Sequence, residues 1–501
     1  MAILREGRRW AERDFIVHGS RRVTFGAHEA AVHCVAGRLV AHGVRPGDRV
    51  ALLAANSPGW SVVFFATLQA GAIVVPCNGW WSEAEMAHAC ALTQPAVVVA
   101  DERHAGRVPT GTTVLPIEAL SESLDGGGNV ASFDPPKGTD AVEDEHRPAL
   151  ILFTSGTTGF PKGATLSHRS LVANVQNLLV MSGRLPHQLP DDHPASITLA
   201  SLPLFHIGAI QLLLVPFVSG ARLVFPEGRF SADEVLRLIE TEGVTMWSAV
   251  PTMVERVLAH PDITRRDVKS LRTVVLGGAA VSSGLLARVA AAFPNAGRGT
   301  GQTYGLSEAG GVVSTGVAKT LAGRPGSSGR VAPVVEVRIR DGDEEDRGEI
   351  LVRSPAVMDG YWGLPRDHAL DPEGWLATGD LGRLDDDGFL YITGRLKDMI
   401  IRAGENIAPR HVEARLLEHP DVREAAVIGL PHQDLGEEVA AVVVLAPGTM
   451  AGAAELEVFA KEALAHFEVP SQWWIRDTEL PKNDSGKVLK RVLAEEWSRR
   501  G

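Results

Sequence analysis

The stretch Phe153-Thr154-Ser155-Gly156-Thr157-Thr158-Gly159-Phe160-Pro161-Lys162-Gly163 decides how this chain is read. It follows directly on the apolar run Ala149–Phe153, which reads as a buried strand. Its glycines let backbone N–H groups approach a ligand closely, its hydroxyls add donors, and Lys162 adds a positive charge. That combination suits a polyphosphate. The string does not satisfy G-x4-G-K-[ST], so it is not a Walker loop. A surface turn rich in Ser, Thr and Gly is the plain alternative, but a string this long is far more specific than a lone G-x-G-x-x-G.

On either side of the loop, apolar strands alternate with helical patterns. Helices are expected at Phe25–His42, Ser57–Ala70 and Ser231–Glu242, the last with Ser231 as N-cap and Glu234 at N3. Strands are expected at Arg49–Leu53, Ala72–Pro76, Ala96–Ala100, Thr198–Leu202, Arg222–Phe225, Thr245–Ala249 and Thr273–Leu276. This alternation predicts an α/β fold with mainly parallel sheets covered by helices on both faces. Residues 122–148, rich in Gly, Pro and Asp, read as a surface linker between two lobes. Short strands and turns follow over Val334–Thr393, with the acidic run Asp341–Asp346 as a solvated turn. A small α+β unit occupies about 398–501, with helices near Arg410–Glu418, 453–466 and after Gly486, and strands near 424–430 and 438–445.

Composition narrows the function classes. The chain has 501 residues and a net charge of −12, with no basic stripe, which argues against nucleic acid as a partner. Cys34, Cys77 and Cys90 are odd in number and unevenly spaced; they suit a reducing compartment and read as buried small apolar residues. The basic opening residues lack the apolar core of a secretory signal. From His193 to Ala221 there is no Asp, Glu, Lys or Arg, yet Pro194, Pro203, Pro216 and His206 interrupt it. A buried unit with a strand around SLPLFH and a helix from about Gly208 is expected there, rather than a membrane span. His28 and His33 are five apart, not four as on one face of a zinc-binding helix, so no metal is expected at them. Trp80-Trp81 reads as packing surface, with a lipid or substrate contact as the alternative. The 52 glycines and 30 prolines exceed the usual share, so many tight turns or backbone-contact loops are expected.

Further motifs lie downstream. Gly277-Gly278-Ala279-Ala280-Val281 follows a strand; small residues there let a flat ring slide against the backbone, although alone it is as readily a turn opening a helix. Gln302-Thr303-Tyr304-Gly305-Leu306-Ser307-Glu308 ends in a hydroxyl beside a carboxylate, and its G-x-S-x-x-G spacing is not that of a hydrolase elbow. Then come Trp375-Leu-Ala-Thr378-Gly379-Asp380, Gly394-Arg395-Leu396-Lys397-Asp398, Gly404-Glu405-Asn406-Ile407-Ala408-Pro409, and Pro481-Lys482-Asn483-Asp484-Ser485-Gly486-Lys487-Val488.

TSGTTGFPKG resembles the signature loop of the adenylate-forming superfamily, which holds acyl-CoA synthetases, peptide-synthetase adenylation domains and beetle luciferases. The remaining motifs follow in that family's order over roughly residues 150–490. The resemblance implies a two-lobed N-terminal AMP-binding domain, 1–396, with a short-strand β subdomain, and a small mobile α+β domain, 397–501. It places Thr154, Ser155, Gly156, Thr157, Thr158, Gly159, Lys162 and Ser307 at the ATP phosphates and Glu308 at Mg2+. It sets Gly278, Ala279, Ala280, Gln302, Thr303 and Tyr304 at adenine, with Asp380 and Arg395 at the ribose. Lys487 becomes the catalytic lysine, Lys397 the hinge and Gly404 part of the coenzyme A channel. His206 would stand as a gate beside the substrate carboxylate, and Gly208, Ala209 and Gln211, with Ser248 to Val250 and Gly301 to Thr303, would line the acyl pocket.

The implied reaction is ATP-dependent ligation of a small-molecule carboxylic acid to coenzyme A through an acyl adenylate. Peptide-synthetase domains carry an Asp just after the Phe of the matching motif to pair an α-ammonium. This chain has His206 after Phe205, which disfavours an amino acid and favours a fatty or alicyclic one. Loading of an external acyl carrier protein is the alternative, and luciferase-like oxygenation a third reading. A cytoplasmic enzyme is expected, with peripheral membrane contact if the acid is long.

Overall fold

Short apolar runs bounded by turn residues form the parallel centres of two sheets. The computed structural model describes residues 2–125, 144–154, 161–279, 281–342, 346–403, 405–483 and 486–500. The expectations for Ser155 to Gly159, Ala280 and Gly404, and for most of the 122–148 linker, fall outside the described residues.

Among the described residues there are sheets of 13, 7 and 5 strands. In the seven-stranded sheet, Arg49–Leu53 lies between Ile73–Pro76 and Val97–Ala100, all parallel. Pro148–Thr154 joins Ile73–Pro76 in parallel and then pairs antiparallel with Lys162–Ser167. Thr154 faces Lys162 in that register, so the two strands that flank the signature segment are paired to their ends. In the 13-stranded sheet, Asp14–His18, Arg222–Phe225, Ile197–Leu199, Met246–Ala249, Thr273–Leu276 and Gly301–Leu306 run parallel. From Gly311–Val317 onward the added strands are antiparallel, through Ser327–Val331, Phe389–Arg395, Leu376–Leu384 and Gly348–Arg353 to Glu336–Arg340.

Helices fill the layers between. Pro58–Gln69 is buried along its whole length; the Ser57 hydroxyl caps it by accepting from Trp60 N. Ser231 accepts from Glu234 N in the same way. Phe25–Ala41 buries His28 against the rings of Phe15, Phe65 and Phe217, with Nε2 2.8 Å from Ser61 Oγ. His33 lies half-exposed beside Glu29, so the two histidines do not converge. Cys77 is buried, whereas Cys34 and Cys90 are half-buried, less deep than expected.

The uncharged 193–221 stretch divides into the strand Ile197–Leu199, a loop, and the helix Ile207–Ser219, which stops at Gly220 with φ +63°. Among the described residues no helix is long and apolar enough to cross a membrane. The strand expected around SLPLFH is instead this loop. Pro203 has no N–H to offer a ladder. The Asn56 side chain donates to Leu202 O at 2.8 Å and accepts from Leu204 N at 2.9 Å, in place of a neighbouring strand.

The third sheet comprises Ile400–Arg402, Glu405–Ile407, Val422–His432, Gly436–Leu445 and Gln472–Arg476. The apolar clusters that include Val412 and Leu493 draw on residues from 400 onward only. The hairpin at 400–407 and the strand Gln472–Arg476 were not anticipated. Asp341 and Asp346 are exposed at the turn joining Glu336–Arg340 to Gly348–Arg353.

Candidate active site

The motifs gather at the C-terminal ends of the parallel strands, where open α/β sheets place their ligands. Thr273–Leu276 ends at Gly277, which packs so closely that an added Cβ would stand 2.7 Å from Thr303 Cγ2. Gly278 follows at φ +78°, facing Val250. Gly301–Leu306 carries Tyr304 and leads into Ser307 and Glu308. The amide of Gln302 donates to Ser327 O, and the Thr303 hydroxyl donates to Ser314 O at 3.1 Å. Those two polar side chains are thus engaged by neighbouring strands.

Asp380 is buried and receives two partners from opposite sides. The Tyr304 hydroxyl donates to Oδ2 at 2.7 Å, and Arg395 Nε lies 2.9 Å from Oδ1. Arg395 faces Asp380 in the strand register. The turn before Asp380 is built locally: Thr378 Oγ1 accepts from Asp380 N, and Gly379, at φ +70°, donates to the buried Glu349. Burial and the Asp380 charge raise the Tyr304 phenol well above its ordinary range, so it remains a donor. Arg410, on the first turn of helix Pro409–Leu416, brings a second guanidinium to the same group. Its burial pushes its pKa down, while Asp380, Glu413 and Tyr304 act the other way. Sequence reading missed it, because nothing in a helix-opening Pro-Arg signals a partner thirty positions upstream.

The hairpin that carries the signature loop brings Lys162 to 3.2 Å from His368 Nε2, with its ammonium 5.2 Å from the Tyr361 ring centre. The Tyr361 hydroxyl in turn donates to Glu308 Oε1 at 3.2 Å. Lys162 and Glu308, expected at phosphate and Mg2+, therefore lie around one tyrosine. Glu308 makes no ion pair among the described residues, and its other oxygen is left for a hard cation that also takes phosphate oxygens. The residues fit that ion.

Lys487 enters from the small unit. Asn483 Oδ1 accepts from Lys487 N, and Lys487 O accepts from Asn483 N, both at 2.9 Å, closing a tight loop. Gly486, at φ +76°, sits where an added Cβ would be 2.7 Å from Thr252 Oγ1 and 3.4 Å from Val250 Cγ2. The loop thus packs beside Gly278 on the large domain. Burial, then Arg395 and Lys397, lower the Lys487 pKa to about 8; Asp380 and Asp398 oppose them. Lys397 itself is exposed in a turn, Leu396–Asp398.

His206 stands at the N-cap of helix Ile207–Ser219, its Nε2 buried and without a partner among the described residues. Burial lowers its pKa to about 4, so the ring is neutral. Phe205 packs on it at 4.5 Å, and the half-exposed Trp80 meets Phe205 edge-on at 5.3 Å. Trp81, by contrast, is buried on Phe153. Gly208 has room beside it, with Leu202 Cδ1 3.9 Å from an added Cβ. Ser248 lies on the strand Met246–Ala249, two strands from Gly301. Gln211 is engaged elsewhere, accepting from Asn174 Nδ2 at 3.0 Å.

Comparison with known proteins identifies the family. The family model for the AMP-binding enzyme matches residues 4–362, and that for the AMP-binding enzyme C-terminal domain matches 411–487. Feruloyl-CoA synthase of an Amycolatopsis species is 36% identical over 479 residues, 94% of each chain. A fatty acid–[acyl-carrier-protein] ligase of Streptomyces coeruleorubidus is 33% identical over 95% of this chain and 92% of its own. The solved structure of o-succinylbenzoate CoA synthetase from Bacillus subtilis with its acyl-adenylate intermediate superposes with a TM-score of 0.84. It is 29% identical, covering 98% of this chain and 97% of that one.

Proposed function

The chain belongs to the AMP-binding enzymes of the adenylate-forming superfamily, as an AMP-forming acid–CoA ligase that uses ATP and coenzyme A, and we propose that its acid is an apolar acyl acid. The observation that carries this reading is the wall at the start of helix Ile207–Ser219. His206 is neutral and unpaired there, Gly208 leaves space, and the 193–221 stretch has no carboxylate to meet an α-ammonium. A charged amino group would be desolvated there without a partner.

The chemistry follows from the charges around the site. A carboxylate is a poor electrophile, because oxide would have to leave. Its oxygen attacks the α-phosphorus of ATP, the bond to pyrophosphate breaks, and a mixed anhydride forms. Both reactants are anions. We assign the α-phosphate charge to Lys487 and Ser307, and the terminal phosphates to Lys162 with the signature-loop residues Thr154 to Gly159. Mg2+ held by Glu308 supplies further charge neutralisation at the phosphates. Gly278 to Ala280, Gln302, Thr303 and Tyr304 take the adenine, and Asp380 with Arg395 the ribose hydroxyls. The coenzyme A thiolate then attacks the acyl carbonyl and AMP leaves.

For that second step the small domain, from 397 onward, turns about Lys397 and brings Gly404 to the thiol channel. Acyl-carrier loading stays the second reading, favoured by the similarity to a carrier-protein ligase. We place the enzyme in the cytoplasm, peripherally membrane-bound if its acid is long; unpaired Cys34, Cys77 and Cys90 suit a reducing compartment.

A panel of carboxylic acids, incubated with ATP, Mg2+ and either coenzyme A or an acyl carrier protein, tests the proposal by mass spectrometry. Coenzyme A thioesters of apolar acids, and none of amino acids, are expected. Thioesters formed only from amino or other polar acids would overturn the acid class. Transfer to the carrier alone would establish the second reading.

A further inference from the structure

Lys162 and Glu308 each hold a neutral partner and make no ion pair with one another. The carboxylate takes a hydrogen bond from the Tyr361 hydroxyl, 3.2 Å away, and the ammonium gives one to His368 Nε2, also 3.2 Å away. The Tyr361 ring centre is 5.2 Å from the ammonium, and the His368 ring meets the Tyr361 ring at 6.3 Å on a T-shaped approach. Burial and Glu308 raise the tyrosine's pKa, so it keeps its proton and donates.

The backbone makes this arrangement rigid. Gly360–Tyr361 pairs with Ala164 and Thr165 of the strand that begins at Lys162, and Trp362 N donates to Gly163 O at 2.7 Å. His368 ends the short turn Arg366–His368, and its N–H is fixed to Pro365 O. Both partners of Lys162 are therefore built on segments tied to its own strand.

We propose that His368 is a positioning residue for Lys162: its imidazole accepts one ammonium hydrogen and seats the lysine over Tyr361, away from Glu308, with two N–H donors free for the terminal phosphates of ATP. A lysine already withdrawn from the carboxylate has no ion pair to break when nucleotide arrives, and Glu308 stays open to the cation that accompanies it. This rests on the phosphate and metal roles given above to Lys162 and Glu308. An imidazole acceptor is needed because an apolar side chain there would release the ammonium, and a cation would repel it.

The test is calorimetric titration of the whole enzyme with ATP and Mg2+, without acid, alongside acid-dependent ATP–pyrophosphate exchange. His368→Leu is expected to weaken ATP binding about three- to tenfold, the scale of a hydrogen bond to a charged group. The KM for the acid and the melting temperature should not move, since His368 is exposed. His368→Gln, whose amide oxygen can accept, should restore most of the affinity. On a Lys162→Ala background, His368→Leu should add nothing. ATP binding unchanged in His368→Leu, but weakened in Lys162→Ala, would overturn the proposal. An equal further loss on the Lys162→Ala background would overturn it as well. ATP binding unchanged in Lys162→Ala would instead overturn the phosphate role of that lysine, and this proposal with it.

Discussion

The role proposed for Lys487 needs a cation at the moment two anions meet, yet its surroundings oppose the charge. Burial, Arg395 and Lys397 bring its pKa to about 8, so the free enzyme loses the ammonium as pH rises through that value. The kcat/KM of adenylation should therefore be level below about pH 8 and fall above it. ATP, bringing negative charge to the lysine, should move the limb in kcat to higher pH. A rate that stays flat well above pH 8 would count against the assignment. Lys487→Ala should lower acid-dependent ATP–pyrophosphate exchange by about a hundredfold or more, the scale of removing one preorganised charge-stabilising group. Thioester formation from supplied acyl adenylate should survive. His206, at about 4, is neutral on both sides of this window and contributes no limb near neutrality.

Buried His28 titrates in the opposite part of the range. Its pKa of about 3 lies below the ordinary 6.5, so on acidification the unfolded chain takes up its proton first. Stability from this residue is complete above about pH 6.5 and is lost progressively toward pH 3. His28→Phe should make the acid side of a denaturation series shallower, as read by urea midpoints at successive pH values.

At the level of elements, two glycines assigned to the acyl pocket are glycines for different reasons. A Cβ at Gly301 would land on Gly316 O of the adjoining strand. Gly301→Ala should therefore destabilise by about 1–3 kcal/mol, the cost of overpacking. Gly208 lies in the first turn of a helix with only Leu202 Cδ1 near. Gly208→Ala should fold at least as well as the parent, since Ala is the better helix former by about 1 kcal/mol in a helix interior. It should shift the acid panel toward smaller acids; melting curves and the panel together separate the two cases.

The same contrast marks what could be read from residues alone. The apolar run Arg49–Leu53 announced its strand because both faces are buried from Val50 to Leu53. SLPLFH misled because its order comes from Asn56, about 150 positions away. Gln472–Arg476 escaped because it is a parallel addition whose pairing with Gly436–Leu445 is wholly tertiary. At the site, the motif residues were legible through their order. Tyr361, His368 and Arg410 were not, since their meaning lies only in partners brought up by the fold.

On the role proposed for Lys487, the whole molecule adenylates only if the unit from 397 onward presents that lysine to the rest of the chain. That presentation runs through Gly486 against Val250 and Thr252, with Arg256 and Glu479, 3.7 Å apart, on the rim. The rim pair is exposed and contributes little. Gly486→Val would force a branched side chain into a left-handed backbone position and against Thr252. Displacement of the lysine by an ångström should reduce adenylation by about a hundredfold. The apolar clusters of the small domain do not include this loop, so the domain should remain folded and the thioester step should continue. Loss of both half-reactions together would show that Gly486 supports more than docking.

Asp380 has a wider consequence. Tyr304 reaches it from the last parallel strand of the large sheet, and Arg395 from the antiparallel extension, so one carboxylate ties a side chain from each part of the sheet. On the proposed assignment a ribose at Asp380 would tighten this tie, whereas a carboxylic acid at the proposed site near His206 would not touch it. AMP by itself should raise the melting temperature, by the equivalent of about 2.7 kcal/mol at a hundred times its dissociation constant. Acid at the same absolute concentration should raise it far less, since without nucleotide it is expected to bind more weakly. On that assignment the architecture itself would set an order of addition: nucleotide first would fasten the frame, and the acid would enter a site already made stiff.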